Sequence, residues 1–399
     1  MSVRVVEIND LSAAGRELRA IDCDPSGIKL MAPKSVGRVV KATGLKPPAA
    51  NILKQEMLSF GGEAATAYGS IVHSVKTTDV LIFGTLKQFA LLTAKLKRHQ
   101  FGLPQLAAEI EACLKSYDRS PAPLKIGQGT FRFGQRTYIM GILNVTPDSF
   151  SDGGQFNDPA AAVERAQLMV EAGADIIDIG GESTRPGAAV VSAEEEIRRV
   201  VPVIKKLASD RRMIIAVDTR KAEVAQAALE AGALMINDVS GLRYDKKMAE
   251  VAAAFRVPIC LMHMKGSPKT MQAKPVYRDL MGEIIGRLAE GIAIANNAGI
   301  LLEKIIVDPG LGFGKTAAHN LEIIRRLREL KALGRPILLG PSRKATIGQV
   351  LDLPVEERVE GTAAAVALAI NHGADLIRVH DVKAMFRVAR MTDAIVRRS

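Results

Sequence analysis

From Tyr138 to the carboxyl end the chain repeats one arrangement: a short continuous apolar run, a polar or glycine-rich cluster, then a longer amphipathic stretch. Eight such runs occur: Tyr138–Val145, Asp175–Gly181, Met213–Thr219, Leu234–Ser240, Val257–Met264, Ile305–Asp308, Pro336–Ser342 and Asp375–His380. They are apolar at successive rather than alternate positions, as strands covered on both faces must be, and so predict a parallel sheet flanked by helices. Between them Pro159–Ala172, Ala193–Ala208, Ala222–Ala231 and Ala318–Leu333 carry Ala, Glu, Arg and Leu at helical spacing. Gly173, Gly232 and Gly373 end helical stretches where the chain turns left-handed into the next strand. Eight strand–helix units in about 260 residues match a (β/α)8, or TIM, barrel of the α/β class. An open doubly wound sheet is the alternative.

A chain of 399 residues exceeds one ordinary core, which predicts a second domain. The proline-stiffened Ser120-Pro121-Ala122-Pro123 marks the boundary. Residues 1–118 then form a small α/β domain, with strand-like Val3–Ile8 and Val80–Phe83 and helix-like Leu86–Lys97 and Pro104–Tyr117. Residues 119–137 are a linker and a hairpin, Gly127–Arg136, placed to plug the barrel bottom, and residues 138–399 are the barrel. In the first domain Gly61-Gly62-Glu63 and His73 read as turn glycines and a surface histidine rather than as a site.

Hydrophobic residues make up 48% and charged residues 24% of the chain, the balance of a globular protein. The amino terminus has no signal-peptide or membrane-span pattern, and Cys23, Cys113 and Cys260 have no paired spacing, so a cytoplasmic protein without disulfides or a zinc cluster is expected. The net charge of +11 divides almost evenly, about +6 before residue 126 and +5 after it. With no tryptophan and 4% aromatic residues, base stacking has little support, and neither nucleic acid nor membrane is an expected partner. Polyanion binding by the basic first domain is the non-catalytic alternative.

A parallel barrel carries its reactive groups in the loops after its strands, so the residues closing each run hold the chemistry. They are Asn144, Glu182 to Arg185, Asp218, Asn237 with Asp238, His263, Asp308, Ser342-Arg343-Lys344 and Arg378-Val379-His380. Asp218, Asn237 and Asp308 offer acceptors, with one amide donor, for a flat ring bearing several N–H groups. Arg185, Lys344, Arg378 and His380 suit phosphate oxygens, and Asn144 suits a magnesium ion that keeps most of its water. Gly310-Leu311-Gly312-Phe313-Gly314-Lys315-Thr316 approaches a phosphate-binding loop, but Pro309 stands where its first glycine belongs, and Phe313 reads instead as a stacking surface for a planar ligand. Residues Thr146–Gly154 and Gly180–Gly187 are long polar loops suited to close over a substrate.

At these residues the chain resembles the dihydropteroate synthases, a family of the folate pathway. Met140-Gly-Ile-Leu-Asn-Val-Thr-Pro-Asp-Ser-Phe-Ser-Asp-Gly-Gly154 resembles the family's first signature and Asp178-Ile-Gly-Gly-Glu-Ser-Thr-Arg-Pro-Gly187 its second. Val217-Asp-Thr219, Ile236-Asn-Asp-Val239, Met262-His-Met264 with Pro268–Gln272, Asp308–Lys315, Ser342-Arg-Lys344 and Arg378-Val-His380 follow in order. The resemblance covers residues 138–399 and implies condensation of a dihydropterin methyl diphosphate with 4-aminobenzoate, with magnesium as cofactor and a homodimeric enzyme. Carried over motif by motif, it assigns the pterin to Asp218, Asn237, Asp308 and Lys344, with Phe313 beside them. Asn144 would sit on the magnesium–diphosphate, with Arg378 and His380 on its oxygens. Phe150, Asp152, Thr184, Arg185, Pro186 and Ser342 would take the aminobenzoate, and Asp218, Asp308, Lys344 and Arg378 would carry the chemistry. Ala345 departs from the family pattern, where Ser often follows Ser-Arg-Lys, and the first domain is absent from the family's short form. A related pterin-binding barrel that passes a methyl group from a folate to a corrinoid protein is the alternative enzyme. It would share the pterin-holding residues but need neither the Phe-Ser-Asp-Gly-Gly loop nor Ser-Arg-Lys.

Overall fold

The computed structural model describes residues 1–72, 74–146, 159–183, 191–266, 271 and 275–397. Two compact units divide it, Met1–Asp118 and Arg119–Ser399.

The first unit runs α1 (Leu11–Ala20), α2 (Pro25–Ser35), β1 (Gly37–Leu45), α3 (Pro47–Ser59), β2 (Glu63–Thr66), α4 (Tyr68–Ile71), β3 (Thr78–Thr85), α5 (Leu86–Leu96) and α6 (Leu103–Asp118). Its three strands pair antiparallel in the order β1-β3-β2, so helices and sheet are segregated rather than alternating through a parallel sheet. One sheet face buries Val80, Ile82 and Ala64 against Leu53, Met57, Phe89, Leu92 and Leu103 of the helices. A capping box starts α5, with the Thr85 hydroxyl accepting from Gln88 N–H and the Gln88 side chain accepting from Thr85 N–H. Val3–Ile8 is not a strand: it has no ladder partner among the described residues, and Val3 and Val5 are fully exposed. Its alternation of charge and valine fits a strand only when an edge is available to pair with it. His73, the other residue weighed in this unit, lies outside the described residues.

In the second unit β4 (Leu124–Ile126) and β5 (Gly129–Phe131) form an antiparallel hairpin. Eight parallel strands follow: β6 (Tyr138–Asn144), β7 (Ile176–Gly180), β8 (Ile215–Asp218), β9 (Met235–Asp238), β10 (Ile259–Met262), β11 (Ile305–Asp308), β12 (Leu338–Leu339) and β13 (Leu376–Val379). Their order is β11-β10-β9-β8-β7-β6-β13-β12. A parallel bridge between Val307 and Ile337, with Val307 N–H donating to Pro336 O at 2.9 Å, joins the two ends and closes the barrel. The helices are α7 (Pro159–Glu171), α8 (Ala193–Leu207), α9 (Ala222–Glu230), α10 (Met248–Ala254), α11 (Leu280–Asn297), α12 (Ala317–Arg325), α13 (Ala345–Leu351), α14 (Val359–Asn371) and α15 (Val382–Val396). The stretch read as one helix over Ala318–Leu333 divides at Arg326, after which Leu327–Leu333 tightens into a 3-10 turn.

Although the runs are apolar throughout, alternate residues serve two cores. Ile177, Ile179, Ile215, Val217, Ile236, Leu261, Val307 and Ile377 face the helices. Their neighbours Met140, Ile176, Ala216, Met235, Cys260, Ile306, Leu338 and Leu376 fill the barrel interior. Leu124, Ile126, Phe131 and Phe133 of the hairpin region join that interior core from the amino-terminal end. The Phe131 ring lies 4.6 Å from that of Tyr138, whose hydroxyl accepts from Arg132 N–H at 2.6 Å. The plug is therefore a packed floor, and its strands begin three residues earlier than the sequence suggested.

Candidate active site

Period-two geometry decides which strand-end residues reach the interior. On β7 the interior series Ile176 continues to Asp178; on β8 Ala216 continues to Asp218; on β9 Met235 continues to Asn237. On β11 Ile306 leads to Asp308, and on β13 Leu376 leads to Arg378. Apolar floor and polar rim are thus successive layers of the barrel interior, the rim at the carboxyl ends of the strands.

Arg378 is the hub of this layer. Its Nε donates to Asp178 Oδ2 and one Nη to Asp218 Oδ2, both at 2.6 Å. Asn237 Nδ2 donates to the same Asp178 oxygen at 2.9 Å. The second oxygen, Asp178 Oδ1, is buried with no hydrogen-bond partner among the described residues. Burial pushes the Asp218 carboxyl up to about 7 against the opposing pull of Arg378, with the Asp178 charge adding to the rise. Those carboxylates hold the Arg378 guanidinium protonated. Asp178 lies within β7 rather than at its end, so a rule that reads only the residues closing each strand passes over it. Its inward parity two residues before Gly180 was the signal that would have found it.

Asp308 lies on the other side of the rim, and its Oδ1 accepts from Gly310 N–H at 2.7 Å. Burial raises this carboxyl to about 6, while that hydrogen bond and the charges of Lys344 and Lys315 oppose the rise. The loop after β11 is shaped by close approach: a Cβ at Gly310 would stand 2.1 Å from His263 O, and one at Gly314 2.2 Å from Lys265 O, both with positive φ. These glycines serve backbone packing and not a phosphate. Lys315 agrees with this, since its buried Nζ donates to His263 Nδ1 at 2.9 Å, Phe313 O at 3.0 Å and His263 O at 3.3 Å. Burial lowers the Lys315 amine to about 7. His263, buried and facing that amine, is pushed down to about 2 and is neutral. The pair staples the loops after β10 and β11, a link between distant segments that no local pattern reveals.

Lys344 Nζ lies 4.7 Å from the Phe313 ring centroid, so the two residues expected beside a planar ligand come together. Ser342 Oγ accepts from His380 N–H at 3.1 Å and shares a hydrogen bond with His380 Nδ1 at 3.0 Å. Burial and the Arg378 charge lower His380 to about 4, leaving a neutral imidazole at pH 7. Arg343 turns to Asp381, with bonds of 2.9 and 2.5 Å, and buttresses the loop. Asp238, adjacent to Asn237, is fully buried and accepts from Ser240 N–H and Leu242 N–H, both at 2.7 Å, so it shapes the turn and does not face the cavity. Asn144 is half-buried at the end of β6, and its Oδ1 lies 3.8 Å from where a Gly180 Cβ would stand. Phe150, Asp152, Thr184, Arg185 and Pro186, expected at the aminobenzoate end, lie outside the described residues, as does most of Pro268–Gln272. Ala345 is exposed at the first position of α13.

The rim therefore brings together buried and part-buried carboxylates, one amide and two cations at the carboxyl end of the barrel. Over residues 140–380 the chain matches the model of the pterin binding enzymes. The chain belongs to that family. Among pterin binding enzymes, the dihydropteroate synthase of Clostridium beijerinckii is 55% identical over 276 residues, covering 69% of this chain and all of that one. A probable bifunctional folylpolyglutamate synthase/dihydropteroate synthase of Halobacterium salinarum is 44% identical over 388 residues, 97% of this chain and 46% of that one. That alignment extends into Met1–Asp118, so the first unit has a counterpart there. Among solved structures, the Xanthomonas albilineans dihydropteroate synthase with 4-aminobenzoic acid superposes with a TM-score of 0.65 at 45% identity, over 69% of this chain and 98% of that one.

Proposed function

We propose that this chain condenses (7,8-dihydropterin-6-yl)methyl diphosphate with 4-aminobenzoate to give 7,8-dihydropteroate and pyrophosphate, as a dihydropteroate synthase does. One observation carries the reading. The buried acceptors Asn237 and Asp308 and the part-buried Asp218 share a single rim with Lys344 and Arg378 in a barrel of this family. The two carboxylates suit the ring N–H groups of a pterin, Asn237 adds a donor and an acceptor, and Phe313 with Lys344 covers the ring face. Asn144 and Arg378 stand on the neighbouring strands β6 and β13, and His380 directly follows β13, a suitable side for the diphosphate. Ser342, tied to His380, borders it on the way to the aminobenzoate, for which Phe150, Asp152, Thr184, Arg185 and Pro186 remain the proposed residues.

The proposed reaction is dissociative. The C–O bond to the diphosphate breaks with its electron pair leaving on oxygen, and the positive charge left on the methylene carbon spreads into the pterin. The aminobenzoate nitrogen lone pair then forms the C–N bond, and its proton passes to water. An arylamine is neutral at pH 7, so no strong base is needed. The work of the protein is electrostatic: Asp218 and Asp308 stabilise the developing cation, and Arg378 the departing oxygens.

Magnesium belongs to the same proposal. Among the described residues no cluster of three or more His, Cys, Asp or Glu could hold a metal. A neutral Asn144 oxygen beside the uncrowded Gly180 fits a hard ion that keeps its water and arrives on a diphosphate, where it would neutralise leaving-group charge. We also infer a homodimer, supported by exposed Leu368 on α14 and exposed Met391 and Ile395 on α15. No described helix is long and apolar enough to cross a membrane, and the cytoplasm is the compartment we propose.

The test gives purified protein the pterin diphosphate and magnesium, with and without 4-aminobenzoate, and follows pyrophosphate and dihydropteroate together. Pyrophosphate released in step with dihydropteroate supports the reading. Tight pterin binding with both substrates left intact overturns it in favour of methyl transfer to a corrinoid protein.

A further inference from the structure

A buried amide joins the two loops that carry Phe313 and Lys344. Asn320 of α12 is 4% exposed. Its Oδ1 accepts from Gly312 N–H at 2.9 Å, and its Nδ2 donates to Thr346 Oγ1 at 2.8 Å. The partners fix which way the amide faces: a backbone N–H can only donate, so the oxygen must meet Gly312, and the Thr346 hydroxyl turns to accept. Gly312 directly precedes Phe313, and Thr346 stands two residues after Lys344 in the first turn of α13.

Each loop also has anchors of its own. Lys315 holds the loop after β11 to His263, and the Tyr277 hydroxyl donates to Gly314 O at 2.8 Å. Arg343 holds the loop after β12 to Asp381, and its N–H donates to Thr362 Oγ1 of α14 at 3.1 Å. These contacts fix each loop to neighbouring elements, whereas Asn320 fixes the two loops to each other. Their approach is close. A Cβ at Gly312 would stand 3.7 Å from Lys344 Cδ, so the lysine stem crosses this backbone on its way to the Phe313 ring. An apolar residue at position 320 would fill the space but withdraw a partner from both Gly312 N–H and the Thr346 hydroxyl. Being uncharged, Asn320 leaves the charges of Asp218 and Asp308 as they are and acts through distance.

We propose that Asn320, with Thr346, is a positioning residue for the pterin. It sets the separation of Phe313 and Lys344, and with it the grip of that pair on the ring face. This rests on the reading of the rim as a pterin site.

The test is equilibrium binding of 6-hydroxymethylpterin by calorimetry, with a melting curve for every variant. Asn320→Ala weakens binding on the order of 10-fold, the scale of a displaced contact. Thr346→Val, a nearly isosteric change that removes only the hydroxyl, weakens it in the same direction, and Thr346→Ser, which keeps the hydroxyl, binds like wild type. A double-mutant cycle supplies the readout that a general loosening of the fold would not move. In a Phe313→Ala background Asn320→Ala adds less than about twofold, because the pair it spaces is already gone; in an Asn237→Ala background its full loss persists. Thr346→Val serves in the same cycle where Asn320→Ala does not fold. Full losses in both backgrounds overturn the proposal, as does wild-type affinity in well-folded Asn320→Ala and Thr346→Val. Failure of the wild-type protein to bind the pterin at all overturns the underlying functional reading instead.

Discussion

Replacing Asp308 by Asn separates what this carboxylate does for the reaction from what it costs the fold. The swap is nearly isosteric, and Asn Oδ1 can still accept from Gly310 N–H, which Asp308 Oδ1 does at 2.7 Å. Burial raises the carboxyl from 3.8 to about 6, so keeping it ionised at pH 7 costs the native state about 3 kcal/mol. The sign follows from the raised value. At pH 7, above both the unfolded and the folded pKa, the whole cost is present; as pH falls through 6 the native carboxyl takes up a proton, and near 3.8 the cost is gone. The Asn variant should therefore melt higher than wild type at pH 7, by up to about 6 °C for a domain of this size, with the difference shrinking toward pH 4. Turnover should move the other way, falling on the order of 10²–10³-fold with the loss of one preorganised charge beside the developing cation. Melting curves across pH and steady-state rates on the same preparations read both quantities. Normal turnover would refute the electrostatic role, and a lowered melting point would refute the account of burial.

Other perturbations probe the same frame. Asp218 and Asp308 must be ionised, so kcat/KM for the pterin diphosphate should fall as pH drops through about 7 and 6; a profile flat down to pH 5 would count against them. Arg378→Met leaves Asp178 and Asp218 facing each other without their common cation, and should lower stability by about 3–5 kcal/mol in denaturant titrations besides abolishing turnover. Phe131→Ala opens the barrel floor and should cost about 3–5 kcal/mol while leaving the rate per folded molecule unchanged. Chelating magnesium should stop pyrophosphate release, and Asn144→Ala should raise the magnesium concentration needed to restore it.

The barrel was legible because burial on both faces writes itself as unbroken apolar runs, and the rim because polar residues end those runs. What the runs concealed is parity. Asp178 sits inside an apolar stretch and looks like part of a strand until its neighbours are sorted into inward and outward series, whereas Asp238 looks like a site residue and is a turn support. Lys315 with His263, and Glu182 with Lys221, join segments separated by 52 and 39 positions, and tertiary proximity of that kind leaves no local pattern. In the first unit alternation misled, since Val3–Ile8 has the rhythm of a strand but no edge to complete. The strands that do form there are antiparallel, and strand-like and helix-like runs alone do not fix the direction of pairing.

The hairpin packed under the amino-terminal mouth leaves the carboxyl-end rim as the one face of the barrel axis that stays open to a ligand. With the interior below the rim filled by side chains of strands and hairpin, every molecule that the rim binds must enter and leave by that one face.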